Sequence, residues 1–143
     1  MPLIFSNKEH AYIEKEKTEI SQLFSVSKAP AAAGPYNKAF WSGDLLFCSG
    51  QIALDVNTMQ LIKGGIEEQT RQACRNVSYV LEEYGLGLKN VVKTTIYLSN
   101  IEDYDIVNNI YKNYFVLKPA RTLVEVAKLP KGALIEIEVI AKR

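Results

Sequence analysis

The amino-acid sequence predicts an α+β domain with about six strands and two helices on one face of the sheet. Three observations carry that expectation. The chain has 143 residues, which is one domain's worth. Short runs alternate apolar and polar residues at a period of two, with turn residues between them. Two longer stretches repeat their apolar residues at helical spacing instead. At 48% hydrophobic and 23% charged residues, the composition is ordinary for a globular domain.

Residues 1–21 are polar and charged with weak periodicity and read as an N-terminal extension; the domain is expected over 22–143. A short strand is expected at 22–26. The proline-punctuated run from Lys28 to Pro35 is loop. Residues 37–42 and 45–49 read as a hairpin across Gly43-Asp44. Leu45-Leu46-Phe47-Cys48 is continuously apolar, as in a strand covered on both faces. Residues 55–65 are rich in turn signals. From 67 to 84, Ala73, Val77, Val80, Leu81 and Tyr84 recur at helical spacing, with Gly85 as the stop. A strand is expected at 91–98, with Val92, Thr94, Ile96 and Leu98 on one face. Asn100-Ile101-Glu102-Asp103 resembles a capping box and opens a second helix bearing Tyr104, Val107, Tyr111 and Tyr114. Strands at 121–128 and 134–142 follow, separated by Leu129-Pro130-Lys131-Gly132.

Two helices can cover only one face of such a sheet. The strand at 45–48 is apolar on both sides, and Leu123 and Ile140 fall on the less protected faces of their strands. Other copies of the same chain are the expected second cover.

Several function classes find no support. The 17 Lys and Arg against 16 Asp and Glu leave a formal charge of +1, which is no footprint for nucleic acid. No stretch approaches the ~18–20 apolar residues of a membrane span. The mixed charges of residues 1–20 suit neither a signal nor a transit peptide, so a cytoplasmic protein is expected. Cys48 and Cys74 read as buried free thiols. Asn76-Val77-Ser78 matches a glycosylation sequon but falls within a helix, a chance match. His10, the only histidine, lies in the extension, which leaves no Ser-His-Asp, Cys-His or zinc pattern. Gly64-Gly65 and Gly85-Leu86-Gly87 form no phosphate cradle. No metal or cofactor is implied, and any catalysis must use carboxylates, hydroxyls, backbone groups or an arginine.

The last two strands offer such groups. In the first, Thr122, Val124 and Val126 alternate as an inward face, with Arg121, Leu123 and Glu125 opposite. In the second, Ile135, Ile137, Val139 and Ala141 are the apolar set, and Glu136, Glu138 and Ile140 share the other face. Glu125 and Glu138 read as a solvated sheet face. Arg121 follows Pro119-Ala120, and its guanidinium is a natural partner for a carboxylate. In a simple hairpin Glu136 would pair near Val126, ~16 Å from Arg121 at ~3.3 Å per residue. The two can cooperate only if their strands are not sheet neighbours, or if they meet across a subunit boundary.

Gly34-Pro35-Tyr36, Cys48-Ser49-Gly50-Gln51-Ile52, Val92-Lys93-Thr94-Thr95, Val107-Asn108, Pro119-Ala120-Arg121, Val124-Glu125-Val126-Ala127-Lys128-Leu129-Pro130 and Ile135-Glu136-Ile137-Glu138 occur in this order. Together they resemble the reactive-intermediate deaminase (Rid) family, also labelled L-PSP endoribonuclease or translation inhibitor. The resemblance runs from about Ser25 to the C-terminus. It implies a chorismate-mutase-like fold and a homotrimer with clefts between subunits. The activity it implies is hydrolysis of 2-aminoacrylate/2-iminopropanoate-type intermediates to 2-oxo acids and ammonia, without a cofactor. Arg121 matches the family arginine that grips the substrate carboxylate, and Glu136 the glutamate that orients or activates water. Tyr36, Ser49 and Asn108 match cleft-lining residues. Leu123 stands where many relatives carry cysteine. Two other readings compete: an endoribonuclease acting as a translation inhibitor, and a non-catalytic trimer binding small carboxylates.

Overall fold

Gly43 adopts a left-handed φ of 57°, open to glycine without a side-chain clash, and turns the chain from β1 (Ala39–Ser42) into β2 (Leu45–Gln51). This computed structural model describes residues 8–13, 15 and 27–143. Residues 8–13 are helical. After the hairpin come α1 (Ile66–Glu83), β3 (Val91–Leu98), α2 (Tyr104–Tyr114), β4 (Ala120–Glu125) and β5 (Ile135–Lys142). The described strands form one five-stranded sheet in the order β1-β2-β5-β3-β4. The strand expected at 22–26 lies outside the described residues, so the count of six is not met among those described.

The last strand in the chain lies at the centre of the sheet. β5 runs antiparallel to both β2 and β3, while β4 pairs parallel to β3 at the edge. Along β5 the apolar set Ile135, Ile137, Val139 and Ala141 is buried, and Glu136, Glu138 and Ile140 face the other way. The apolar face meets both helices. Ala73, Val77, Val80 and Leu81 of α1 join Val107 and Tyr111 of α2 in one cluster with Leu46, Ile96 and Leu98. Gly85 ends α1 with φ 76°, as its position predicts. The helix starts at Gly65, whose N–H donates to the Glu68 carboxylate at 2.9 Å. The backbone N–H groups of Glu68 itself and of Gly65 hold the Glu68 carboxyl below its ordinary range.

Two faces differ from their expected assignment. In β3, Val91 is buried and Val92 is exposed, because the register to β5 slips between Val91 and Lys93 and turns Val92 outward. In β4, Arg121 lies opposite Thr94 and Leu123 opposite Ile96, both fully buried. Arg121 and Leu123 therefore share the helix-covered side, and Leu123 packs against the core. Thr122 and Val124 point away from it, and Val126 lies beyond the strand. Alternation alone cannot tell the two faces of an edge strand apart when both carry apolar residues. Glu125 is not merely solvated: its carboxylate accepts the N–H of Ile101 at 3.0 Å, before α2. In α2 the buried residues are Val107, Ile110 and Tyr111, while Tyr104 is exposed.

The uncovered face carries aromatic and apolar side chains. Phe40 pairs with Phe47, and Phe47 with Ile140, in one row across three strands. Phe40 remains 67% exposed and Phe47 45%, enough to mark this face as lacking a cover in the single chain.

Buried amides of α1 fix the segments that follow β2 and precede β5. Asn76 is 1% exposed and donates to the carbonyls of Ile52 and Leu54, each at 3.0 Å. Gln72 donates to Asn76 Oδ1 at 2.9 Å, and Gln69 accepts the N–H of Leu134 at 2.9 Å, one residue before β5. Asn76→Ala strands the buried Leu54 carbonyl, while the Ile52 carbonyl still accepts the N–H of Leu54. The substitution should lower unfolding free energy by about 2–3 kcal/mol in denaturant titration, whereas the exposed Lys112→Ala should stay within about 0.5 kcal/mol.

Candidate functional site

The sequence-predicted site residues fall into two groups that one chain keeps apart. The first surrounds a cleft of about 120 Å³ between the Pro30–Ala33 loop, the end of β2 and the start of β5, and Tyr36 and Glu136 both line it. Tyr36 is held by the N–H of Ala33, which donates to its hydroxyl at 3.3 Å. Ser49 stands at the same end of β2, its hydroxyl donating to the Asn37 carbonyl at 2.7 Å. Asn76 and Gln69 brace this cleft from below, through Ile52, Leu54 and Leu134.

Gly50 explains how Glu136 fits there. A Cβ at residue 50 would fall onto the Glu136 carboxylate, with Cδ only 2.8 Å away. The missing side chain makes room for the carboxylate over the strand. Burial raises the Glu136 carboxyl above its ordinary range, and the Glu138 charge adds to the effect. Glu138 itself accepts the Tyr97 hydroxyl at 2.7 Å, so it is fixed rather than freely solvated. That bond, first among its causes, raises the Tyr97 hydroxyl.

The second group lies on the helix-covered side at the opposite edge. Arg121 Cζ stands 4.9 Å from the Tyr111 ring centre and 5.8 Å from that of Tyr104, and its Nη2 donates to the Tyr104 hydroxyl at 3.4 Å. Asn108 lies between these tyrosines on the same face of α2, at spacings of four and three residues. Its Oδ1 is buried with no hydrogen-bond partner. Leu123, two residues beyond Arg121, packs inward and offers no polar side-chain atom. Among the described residues, no carboxylate pairs with Arg121.

The separation follows from register. Arg121 sits opposite Thr94, while Glu136 sits opposite Tyr97, three residues further along β3. That offset is ~10 Å along the strand, and the two side chains leave opposite faces. β4 and β5 are not neighbours, as one of the two sequence-based alternatives required, yet this does not unite the pair. Cys48 and Cys74 are buried free thiols, pushed by burial to about 11 and about 12, so neither is a ready nucleophile.

Gly50, Thr94, Tyr104 and Tyr111 were not singled out from the sequence as site residues. The spacing of Tyr104, Asn108 and Tyr111 carries a signal, three polar-tipped side chains on one helix face. Their relation to Arg121 needed the β3–β4 register.

Fold and site together define a class: a small α+β protein with an aromatic-framed arginine and a raised carboxyl on opposite faces of one sheet. Residues 26–143 match the family described as Endoribonuclease L-PSP, and the chain belongs to that family. The human 2-iminobutanoate/2-iminopropanoate deaminase is 45% identical over 123 residues, covering 85% of this chain and 90% of the relative. A solved Rid family protein of Yersinia pestis superimposes with a TM-score of 0.79 at 45% identity, covering 83% of this chain and 96% of that one. Escherichia coli TdcF, solved with bound serine, gives a TM-score of 0.77 at 32% identity over 83% of this chain and 96% of its own.

The raised carboxyl has a consequence for folding. A Glu136 that binds its proton more tightly when folded loses stability as pH rises from its unfolded value, ~4.3, through its folded one. Glu136→Gln should therefore melt at or above the parent temperature at pH 7, with the difference vanishing below about pH 4. Calorimetry at both pH values checks this. A variant less stable than the parent at pH 7 would show that the carboxylate is held by favourable contacts.

Proposed function

We propose that this chain is an enamine/imine deaminase that hydrolyses 2-iminopropanoate-type intermediates to 2-oxo acids and ammonia. It works as a homotrimer whose clefts join the Glu136 side of one chain to the Arg121 side of the next. The observation that carries the reading is the aromatic-framed Arg121 guanidinium, which has no carboxylate partner among the described residues of its own chain. A planar fork of donors fits the carboxylate of an imino acid through two parallel bonds. The name of the human relative supports that substrate class, and serine bound to TdcF supports a small amino-acid-like ligand.

The chemistry needs little more. Arg121 fixes the substrate carboxylate, and Asn108 and Tyr36 line the remaining space. Glu136 takes a proton from a water molecule as the water oxygen bonds to the C=N carbon, whose π electrons move to nitrogen. Glu136 returns that proton to nitrogen, giving the neutral carbinolamine; its hydroxyl proton then passes to nitrogen by way of the same carboxylate as the C–N bond breaks, C=O forms and ammonia leaves. An enamine substrate first takes a proton on carbon to become the imine. The imine carbon is already electrophilic, so positioning plus base assistance suffices without a covalent nucleophile. The raised Glu136 carboxyl makes it a better base than an ordinary surface glutamate.

The row of exposed Phe40 and Phe47 with half-buried Ile140 supports assembly, since association would bury it. The family resemblance implies three chains. No helix among the described residues is long and apolar enough to cross a membrane. Cleavage of RNA, which the family label carries, gains no attraction from a formal charge of +1.

Imine generated in situ by an amino-acid dehydratase, with its decay followed in the presence of the chain, tests the activity. Glu136→Gln should lower kcat by ~10²–10⁴, and Arg121→Lys should raise KM and lose most activity although the charge is kept. Parent-like rates in both variants would contradict the assignment. RNA cleaved by the parent while imine decay is not accelerated would replace it with the nuclease reading.

A further inference from the structure

Arg121 is at the sheet edge, where a long side chain would ordinarily sample many rotamers. Here it is held. Tyr111 underlies the guanidinium at 4.9 Å and Tyr104 flanks it at 5.8 Å. Tyr111 is itself fixed on two sides: its hydroxyl shares a 2.7 Å hydrogen bond with Thr94 Oγ1, and its ring stacks on Phe115 with centres 4.4 Å apart. Thr94 is fully buried in β3 and stands directly opposite Arg121 in the β3–β4 ladder. Neighbouring strands thus supply the arginine and the hydroxyl that anchors the arginine's platform.

We propose that Tyr111, anchored by Thr94, is a positioning residue that orients the Arg121 guanidinium for the substrate carboxylate. The guanidinium lies over the Tyr111 ring and its Nη2 donates to the Tyr104 hydroxyl at 3.4 Å, so two tyrosines hold it while its other N–H groups serve the ligand. A guanidinium stacked on an aromatic face keeps its charge while losing rotational freedom, which lowers the ordering cost of binding. The inference builds on the deaminase reading for the identity of the ligand, but the ordering of Arg121 is a property of the protein alone.

The test separates the two. The Arg121 Nε–Hε signal, assigned by its loss in Arg121→Lys, should be displaced by the ring and motionally restricted in the parent protein. In Tyr111→Leu it should move toward the free-arginine position and gain motion, whereas Tyr111→Phe, which keeps the ring but loses the hydroxyl bonded to Thr94, should keep the ring displacement and gain only part of that motion. Thr94→Val removes the anchoring hydroxyl and should loosen the same signal. Kd for 2-oxobutanoate and KM for the imine should rise about tenfold in Tyr111→Leu with kcat within about twofold, and Tyr111→Phe, which keeps the ring without its anchor, should fall between Tyr111→Leu and the parent. Should Tyr111→Leu fail to fold, Tyr111→Met fills the space without a ring and carries the same expectation. An Arg121 signal and Kd unchanged by loss of the ring, or lost equally in Tyr111→Phe, would overturn the proposal. A ring-displaced, ordered Arg121 in a protein that hydrolyses no imine would overturn the deaminase reading and leave the positioning role standing.

Discussion

Successive side chains of a strand leave opposite faces of the sheet, and that constraint divides this protein's chemistry as firmly as it builds its core. β5, central in the sheet, sends Ile135, Ile137, Val139 and Ala141 into the helices and Glu136, Glu138 and Ile140 out of the other face. β4, two strands away, sends Arg121 toward the helices. No rotamer of either side chain bridges a sheet from one face to the other. The same register that seals the core therefore leaves the site we propose in two halves within each chain.

Each half is prepared in its own way. Around Glu136, Gly50 makes space, Glu138 adds negative charge, and the Asn76 and Gln69 amides hold the loops that wall the cleft. A carboxyl whose ionisation is opposed by its surroundings costs some folding stability and gains basicity, a trade common at functional sites. Around Arg121 the surroundings are aromatic, and the nearby Asn108 Oδ1 is buried without a partner. The uncovered row of Phe40, Phe47 and Ile140 gives a physical reason for chains to associate, and association is the route by which the halves would complete one another.

Much of this was legible in the sequence. The helical spacing from Ala73 to Tyr84, the Gly85 stop, the Gly43-Asp44 turn and the alternation through Ile135–Lys142 each depend on local periodicity, and the structure follows them. The site residues too were visible as residues, through their resemblance to a family. What local pattern could not supply was register. The slip at Val92 and the facing of β4 are set by which strand lies alongside, a contact between residues far apart in sequence. The anchoring of Tyr111 by Thr94 and the room Gly50 leaves for Glu136 are hidden for the same reason. The distance argument anticipated that Arg121 and Glu136 need either separated strands or two chains. The fold supplies separated strands, and the opposite facing keeps the pair apart even so.

The central claim, that one working cleft takes Arg121 from one chain and Glu136 from another, is tested most directly by subunit mixing. Arg121→Ala and Glu136→Gln, each inactive alone, are unfolded together in equal amounts, refolded and assayed for imine hydrolysis. Random reassembly joins an intact Arg121 side to an intact Glu136 side at about one interface in four, so the mixture should regain about a quarter of parent activity. A reassembled mixture no more active than the separate variants would contradict a site shared between chains.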